Sequence, residues 1–269
     1  MLQDLRVYVI NLDRRPDRWE SAQKTLKKAG FKDIVRVSAV DGKLIDTDQL
    51  KRLVHPSVYN ELGKIRKNHE DLGSLGAVGC YLSHLKVWTM IMERNQPAIV
   101  VEDDLECHPL FNEFQLTKNT QTLNKYDFVL LASHVREPHL LQKTSEKQGI
   151  VDYHGMFFLL HFYYLTPNGA KFFSKDALPI KYQVDSYMSF KIKKNTMFKS
   201  GVHKPDMAMQ SDTVTDIQTM MEGTVDHTTY IILKTFKSTY LKLFNGVLIG
   251  LMIAILVLAL SKIIKSIHE

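Results

Sequence analysis

Apolar positions along the chain fall into short unbroken runs that alternate with stretches of helical spacing. Arg6-Val7-Tyr8-Val9-Ile10-Asn11 predicts a first strand. Pro16 suits the first turn of a helix, and Trp19, Ala22 and Leu26 share its apolar face until Gly30 stops it. Ile34-Val35-Arg36-Val37 predicts a second strand that runs into a turn at Ala39-Val40-Asp41-Gly42. Residues 43–75 are polar, with a short helix expected around Asp48 to Leu62, and are long for a connector, as an acceptor-side lid would be. Leu82, Leu85, Trp88 and Met92 mark a helical face ending near Asn95, and the glycines before it permit close backbone approach. Ala98 to Val101 is apolar without alternation, which predicts a central strand buried on both faces.

Tyr126-Asp127-Phe128-Val129-Leu130-Leu131 predicts a further buried strand, followed by loop over 133–150. Met156 to Leu165 is too short and too polar for a membrane span, so it predicts an aromatic-rich strand. A helix carrying Ala170, Phe172 and Phe173 follows from Pro167. Asp185 stands alone at a strand-to-helix junction, where it could simply cap the helix, and Pro205 to Thr229 is loop-rich.

One stretch follows neither period. Leu243 to Ser261 is 19 residues without a charge, closed by Lys262 and Lys265. As a helix it spans roughly 28 Å, close to a bilayer core. It is apolar all round, unlike a core helix of amphipathic design. The expectation is a globular part over 1–228, a basic juxtamembrane linker 229–242, a transmembrane anchor 243–262 and a tail 263–269. Met1 to Arg6 is too polar to open a secretory signal, which predicts a single-pass membrane protein with the globular part on the cytosolic face.

Composition changes this picture little. Hydrophobic residues make up 45% and charged residues 24% of the 269, ordinary globular usage. The net charge of +6 is spread rather than blocked, so nucleic-acid binding is not indicated, whereas nucleotide phosphates or anionic lipid fit. Cys80 and Cys107 lack metal-ligand spacing, and no Asn-x-Ser/Thr acceptor site occurs, which leans toward a reducing compartment.

Candidate chemistry concentrates where the central strand ends, at Glu102-Asp103-Asp104. Acids at such a strand end sit at the rim where open α/β sheets place their ligand crevices. Strand alternation points Glu102 and Asp104 one way and Asp103 the other. Three adjacent like charges call for an offset, and a hard divalent cation completed by a phosphorylated substrate suits oxygen donors. A solvated acidic turn is the plain alternative. Arg14, Arg15 and Arg18 crowd a helix N-terminus, an unfavourable place for cations unless a phosphate docks there; a solvated basic turn would look the same. Ser83 and His84 are expected early in their helix, able to face an anion or the acidic rim, or to be no more than a helix-start Ser and a surface His.

Asn11-Leu12-Asp13-Arg14-Arg15-x-Asp17-Arg18, Ala39-Val40-Asp41-Gly42, Gly79-Cys80-Tyr81-Leu82-Ser83-His84 with Trp88, and Val101-Glu102-Asp103-Asp104 occur in this order. Together with Tyr164-Leu165-x-x-x-Gly169-Ala170, Val184-Asp185 and Gln210-Ser211-Asp212, they resemble glycosyltransferase family 25 over roughly residues 5–215. That family includes bacterial lipopolysaccharide galactosyltransferases and procollagen galactosyltransferase domains. The resemblance implies a GT-A (Rossmann-like) α/β fold with a mixed, mostly parallel sheet flanked by helices. It implies a UDP-sugar donor, commonly UDP-galactose, and Mn²⁺ (or Mg²⁺).

Carried over by position, Asn11, Arg14 and Arg18 would meet the donor nucleotide and phosphates, and Ser83 and His84 would line its pocket. Asp104 and Glu102 would hold the metal, with Asp103 toward the ribose or sugar. Asp185 would be the general base of an inverting transfer, with Asp212 the next candidate. Expected partners are the nucleotide sugar, a glycan, lipid-linked or protein acceptor, and the membrane. The competing reading is an inactive family member serving as a membrane-tethered binding module. A two-metal phosphohydrolase would need further carboxylate and His clusters, which the chain lacks.

Overall fold

The computed structural model describes residues 1–118, 120–141 and 149–211. In chain order these form β1 (Arg6–Asn11), α1 (Pro16–Lys28), β2 (Ile34–Ser38), α2 (Thr47–Leu53), α3 (Pro56–Tyr59), α4 (Leu75–Arg94), β3 (Ala98–Glu102) and β4 (Leu105–Cys107). Then come α5 (Gln115–Lys118), β5 (Phe128–Val135), β6 (Gly149–Asp152), β7 (Phe157–Leu165), α6 (Pro167–Ser174), α7 (Val184–Lys194), β8 (Ser200–Lys204) and β9 (Ala208–Gln210).

The β3 run sits in the middle of one face-covered sheet, ordered β2-β1-β3-β7-β5-β8-β6, while β4 and β9 pair separately. Side chains alternate across it. Ala98 and Val100 pack with Tyr8, Leu130, Tyr163 and Trp88 on one face; Ile99 and Val101 pack with Val7, Val9, Leu26 and Phe162 on the other. This is why the run shows no polar alternation: both faces are core.

The sheet is mixed in equal parts rather than mostly parallel. β1 runs parallel to β2 and β3, and β5 to β8, but β3–β7, β5–β7 and β6–β8 are antiparallel. Between β5 and β7 the described residues contain no crossover helix, so β7 returns antiparallel. Part of the segment expected as loop is therefore strand: β5 continues through Val135 against Phe157, and β6 pairs with β8. Between Ala132 and His134 the partner strand β7 advances from Phe162 to Phe158, a bulge that includes Leu159 at φ 67.

Two helices differ from expectation. The Asp48–Leu62 helix is broken into α2 and α3, because Val54 bridges to Ile180 and Pro56 restarts the chain as a first-turn residue. α4 begins at Leu75, capped by the Ser74 hydroxyl accepting from the Ala77 N–H, and ends at Asn95 with φ 51. Gly76 and Gly79 are thus inside the helix, and Ser83 and His84 lie in its middle. Gly79 is needed there: a Cβ would sit 2.4 Å from the Val40 carbonyl oxygen and 2.6 Å from the Gly42 nitrogen. The Ser83 hydroxyl fastens the same contact, accepting from Val40 N–H at 2.8 Å and donating to the Gly79 carbonyl at 2.7 Å.

Asp212, the linker 229–242, the span 243–262 and the tail 263–269 lie outside the described residues. Among the described residues, no helix is long and apolar enough to cross a membrane.

Gly79→Ala would force α4 and the 39–42 turn apart. A loss of about 1–3 kcal/mol in urea unfolding is expected, the scale of overpacking a close-fitted site. An unchanged midpoint would mean that the two backbones separate freely.

Candidate active site

The rim of β3 opens on a cleft of about 670 Å³, its mouth included, lined by Arg14 and Arg18, the 39–43 turn, the α4 residues Cys80, Ser83 and His84, and all three acids. Each acid is claimed by a different element. Glu102, the last residue of β3, faces α4 and accepts from His84 Nε2 at 3.1 Å. Asp103 faces the opposite side, accepting from Asn11 Nδ2 at 2.6 Å and Arg18 Nη1 at 3.1 Å. Asp104 lies beyond the strand, in the turn before β4, where Gln210 of β9 donates to its Oδ2 at 2.8 Å. The expected alternation therefore holds for Glu102 and Asp103, and stops where the strand stops.

The hydrogen-bond chain behind Glu102 assigns the His84 tautomer. Trp88 Nε1–H can only donate, and it reaches the Tyr163 hydroxyl at 3.0 Å. Tyr163 therefore has its own hydrogen to give, and His84 Nδ1 lies 2.9 Å away to accept it. That leaves the hydrogen on Nε2, aimed at Glu102. Burial alone would raise the Glu102 pKa, but the hydrogen bond from His84 and the nearby Arg18 bring it below the ordinary value.

Asp103 and Asp104 are held differently. Burial raises Asp103, opposed by Asn11 and Arg18. Asp104 is pushed up to about 7, first by burial and then by the Glu102 charge, with Gln210 opposing. Its Oδ1 is buried without a hydrogen-bond partner among the described residues. A buried carboxylate oxygen with no donor, beside two more acids, fits a hard divalent cation, which would be held by Asp104 with Glu102 adjacent.

Asn11 and Ser83, expected near the donor, also hold the scaffold together. Asn11 is 1% exposed; its amide donates to Arg15 O and Asp103, and its carbonyl accepts from Arg36. Ser83 lines the cleft as expected, with its hydroxyl engaged in the α4–turn contact. His84, fully buried, orients Glu102 from the cleft wall. Arg14 and Arg18 do reach the cleft, Arg14 held by Asp41 at 2.8 Å.

Asp185 sits in the first turn of α7, apart from the residues lining the cleft. Its Oδ1 accepts from Ser186 N–H at 2.6 Å. Burial raises its pKa to about 6; Ser186 and the Leu159 N–H of the β7 bulge lower it, and Glu102 adds to the rise. The structure thus brings Arg14, Arg18, Glu102, Asp103 and Asp104 to one cleft, with Asp185 within electrostatic reach of Glu102. Sequence reasoning passed over Tyr163, Gln210 and Asp41 as site supports. Gln210 and Asp41 lay in quoted motifs, whereas nothing in the sequence ties Tyr163 to His84.

The cleft thus gathers two guanidinium groups and three carboxylates at the end of a buried strand. Residues 4–188 match glycosyltransferase family 25 (LPS biosynthesis protein), and the chain belongs to that family. It is similar to a glycosyltransferase 25 family member of Drosophila melanogaster, 29% identical over 127 residues, covering 46% of this chain and 20% of that protein. It is also similar to procollagen galactosyltransferase 2 of Homo sapiens, 33% identical over 110 residues (40% of this chain, 17% of that protein). Procollagen galactosyltransferase 1 of Danio rerio is 34% identical over 106 residues (39% and 17%). The matches thus span a fifth or less of the length of these curated relatives.

The Asp104 shift gives a pH test. Its folded pKa of about 7 lies above the unfolded 3.8, so the folded state holds the proton more tightly. This group's contribution therefore lowers stability as pH rises from about 4 to about 7, and is fully lost above that. Metal-free protein should lose more Tm between pH 5 and 7.5 than Asp104→Asn does, and Mn²⁺ should restore it at pH 7.5 but not at pH 5. Identical pH slopes in both proteins would count against this charge assignment.

Proposed function

We propose that this chain transfers a hexose, galactose first among candidates, from a UDP-sugar to an acceptor hydroxyl on a glycan, lipid-linked glycan or protein. Family membership implies a nucleotide-sugar donor and an acceptor; the named galactosyltransferases among its relatives favour galactose. The observation that carries the donor reading is a buried Asp104 oxygen, unpartnered among the described residues, in the same cleft as Arg14 and Arg18. Arg14 is 40% exposed in its pair with Asp41, and such a pair contributes under about 1 kcal/mol, so a phosphate competes for it at small cost. Arg18 is different: it and Asp103 are each 10% exposed, and it serves chiefly to fix that acid.

Mn²⁺ or Mg²⁺ bound at Asp104 would supply charge neutralisation of the leaving diphosphate. The protein's own part is a single displacement with inversion. The acceptor oxygen attacks the anomeric carbon as the bond to the diphosphate breaks, and the acceptor proton passes to the Asp185 carboxylate. A pKa of about 6 leaves Asp185 ionised at neutral pH yet more basic than an ordinary Asp. Glu102 and Asp103 are poorly suited to that role, because His84, Asn11 and Arg18 already hold them. The apolar stretch 243–261 supports membrane attachment.

The test is UDP release from UDP-galactose in the presence of Mn²⁺ and an acceptor panel. Asp185→Asn should bind UDP within a few-fold of wild type while transfer falls by roughly 10²-fold or more, the usual scale for losing a general base. Near-normal transfer by that variant, with Asp212→Asn inactive, would move the role to Asp212. The full chain should float with liposomes, and a chain ending at Phe236 should not; flotation of the shortened chain would place the membrane contact elsewhere.

A further inference from the structure

Arg66 is a buried cation that the reaction set out above leaves unused. It lies between α3 and α4 and is 7% exposed. Its Nη1 makes a long 3.5 Å bond to the His69 carbonyl, and its Nε is buried without a partner among the described residues. Burial lowers its pKa, and the carboxylates that act against this are Asp185 and Asp71. Neither forms an ion pair with it among the described residues: Asp71 Oδ2 accepts from Lys67 and Asn68 N–H, and Asp185 Oδ1 from Ser186. The neighbouring Arg136 is already taken, paired with Glu70 at 2.9 Å. A buried guanidinium left in this state is costly, and an anion that docks on it recovers the cost.

The position of Arg66 relative to Asp185 is set by hydrogen bonds. The His69 carbonyl that holds Arg66 also accepts from Gln183 Nε2 at 2.6 Å, and Gln183 donates to the Asp71 carbonyl at 3.1 Å. Gln183 is the residue that precedes α7, two before Asp185, and Asp71 bridges to Tyr182. The guanidinium and the Asp185 carboxylate are therefore mounted on one bonded unit. Arg66 does not line the donor-side cleft of Arg14 and Arg18.

We propose that Arg66 is an anion-binding residue of the acceptor subsite, so that the acceptor carries a phosphate or carboxylate group docked there while its hydroxyl faces Asp185. This rests on the reading of Asp185 as the acceptor-side base. A guanidinium fork matches both anions with two parallel hydrogen bonds, which a lysine cannot do.

The test uses the full chain in detergent, with and without saturating UDP and Mn²⁺, titrated by calorimetry with glucose 6-phosphate, glucuronate and glucose. Both anionic sugars should bind about tenfold or more tightly than glucose, the scale of one charge-assisted pair. Arg66→Gln should erase that preference, and Arg66→Lys should keep part of it, while UDP affinity stays within a few-fold of wild type. Equal binding of glucose and the anionic sugars by wild type, or a preference that survives in Arg66→Gln, overturns the proposal. So does a tenfold loss of UDP affinity in Arg66→Gln, which would assign the residue to the donor. If Arg66→Gln does not fold, the wild-type preference and its weakening in Arg66→Lys decide. Failure of UDP to bind at all would sink the donor reading, yet the sugar titrations without UDP would still report on Arg66.

Discussion

Three carboxylates in succession at the end of a buried strand are the constraint that the cleft is built around. Left together they would repel and take up protons. The fold answers by sending each to a different partner: Glu102 to His84 on α4, Asp103 to Asn11 on β1 and Arg18 on α1, and Asp104 to Gln210 on β9. The supports differ in strength. Asp103 takes two side-chain donors, one a buried guanidinium, and removing one partner of such a buried pair typically costs 3–5 kcal/mol. Asp104 takes one amide and keeps an oxygen unpartnered among the described residues. Asp104, with the weakest support, has its pKa raised to about 7, first by burial and then by the Glu102 charge.

The wall facing those acids depends on backbone proximity. Gly42 and Gly79 let the 39–42 turn lie directly against α4, and the Ser83 hydroxyl ties the two together. That places Asp41 where it can hold Arg14 at the cleft. Asn11 and Ser83 thus act through the groups they position. The Trp88–Tyr163–His84 chain works the same way from the opposite face, delivering an N–H to Glu102 through residues that are almost wholly out of water. Closed polar chains of this kind are rigid, because every member loses a partner if any one turns away.

The elements around Asp185 are assembled separately. Asp185 is carried by α7, and the β7 bulge brings the Leu159 N–H toward it. The 66–71 segment is then bound to the entry of α7 through Gln183. This divides the molecule chemically: one wall has its charges paired across β1, α1 and β3, and the other retains a carboxylate of raised pKa and a guanidinium in no ion pair among the described residues. The proposed transfer would use that division, with the leaving group stabilised on one side and the nucleophile deprotonated on the other.

Much of this was legible before any coordinates. The unbroken run Ala98–Val101 is decisive for a strand covered on both faces, and the ordered motifs from Asn11 to Gln210 carry family membership, because short-range chemistry and periodicity are local properties of a chain. The anchor expected over 243–262 and the candidate Asp212 belong to the sequence alone. What tertiary structure decided is everything that depends on partners far apart in the chain. The antiparallel pairing of β7 with both β3 and β5 follows from its return with no crossover helix among the described residues. Asn11 and Ser83 also hold the scaffold together, because they bond to Arg36, Asp103 and Val40. The bond from Tyr163 to His84 spans 79 residues, and that from Gln183 to His69 spans 114, separations over which no local pattern carries information. Residue types announce which bonds a side chain can make; only the fold determines which of them are already taken.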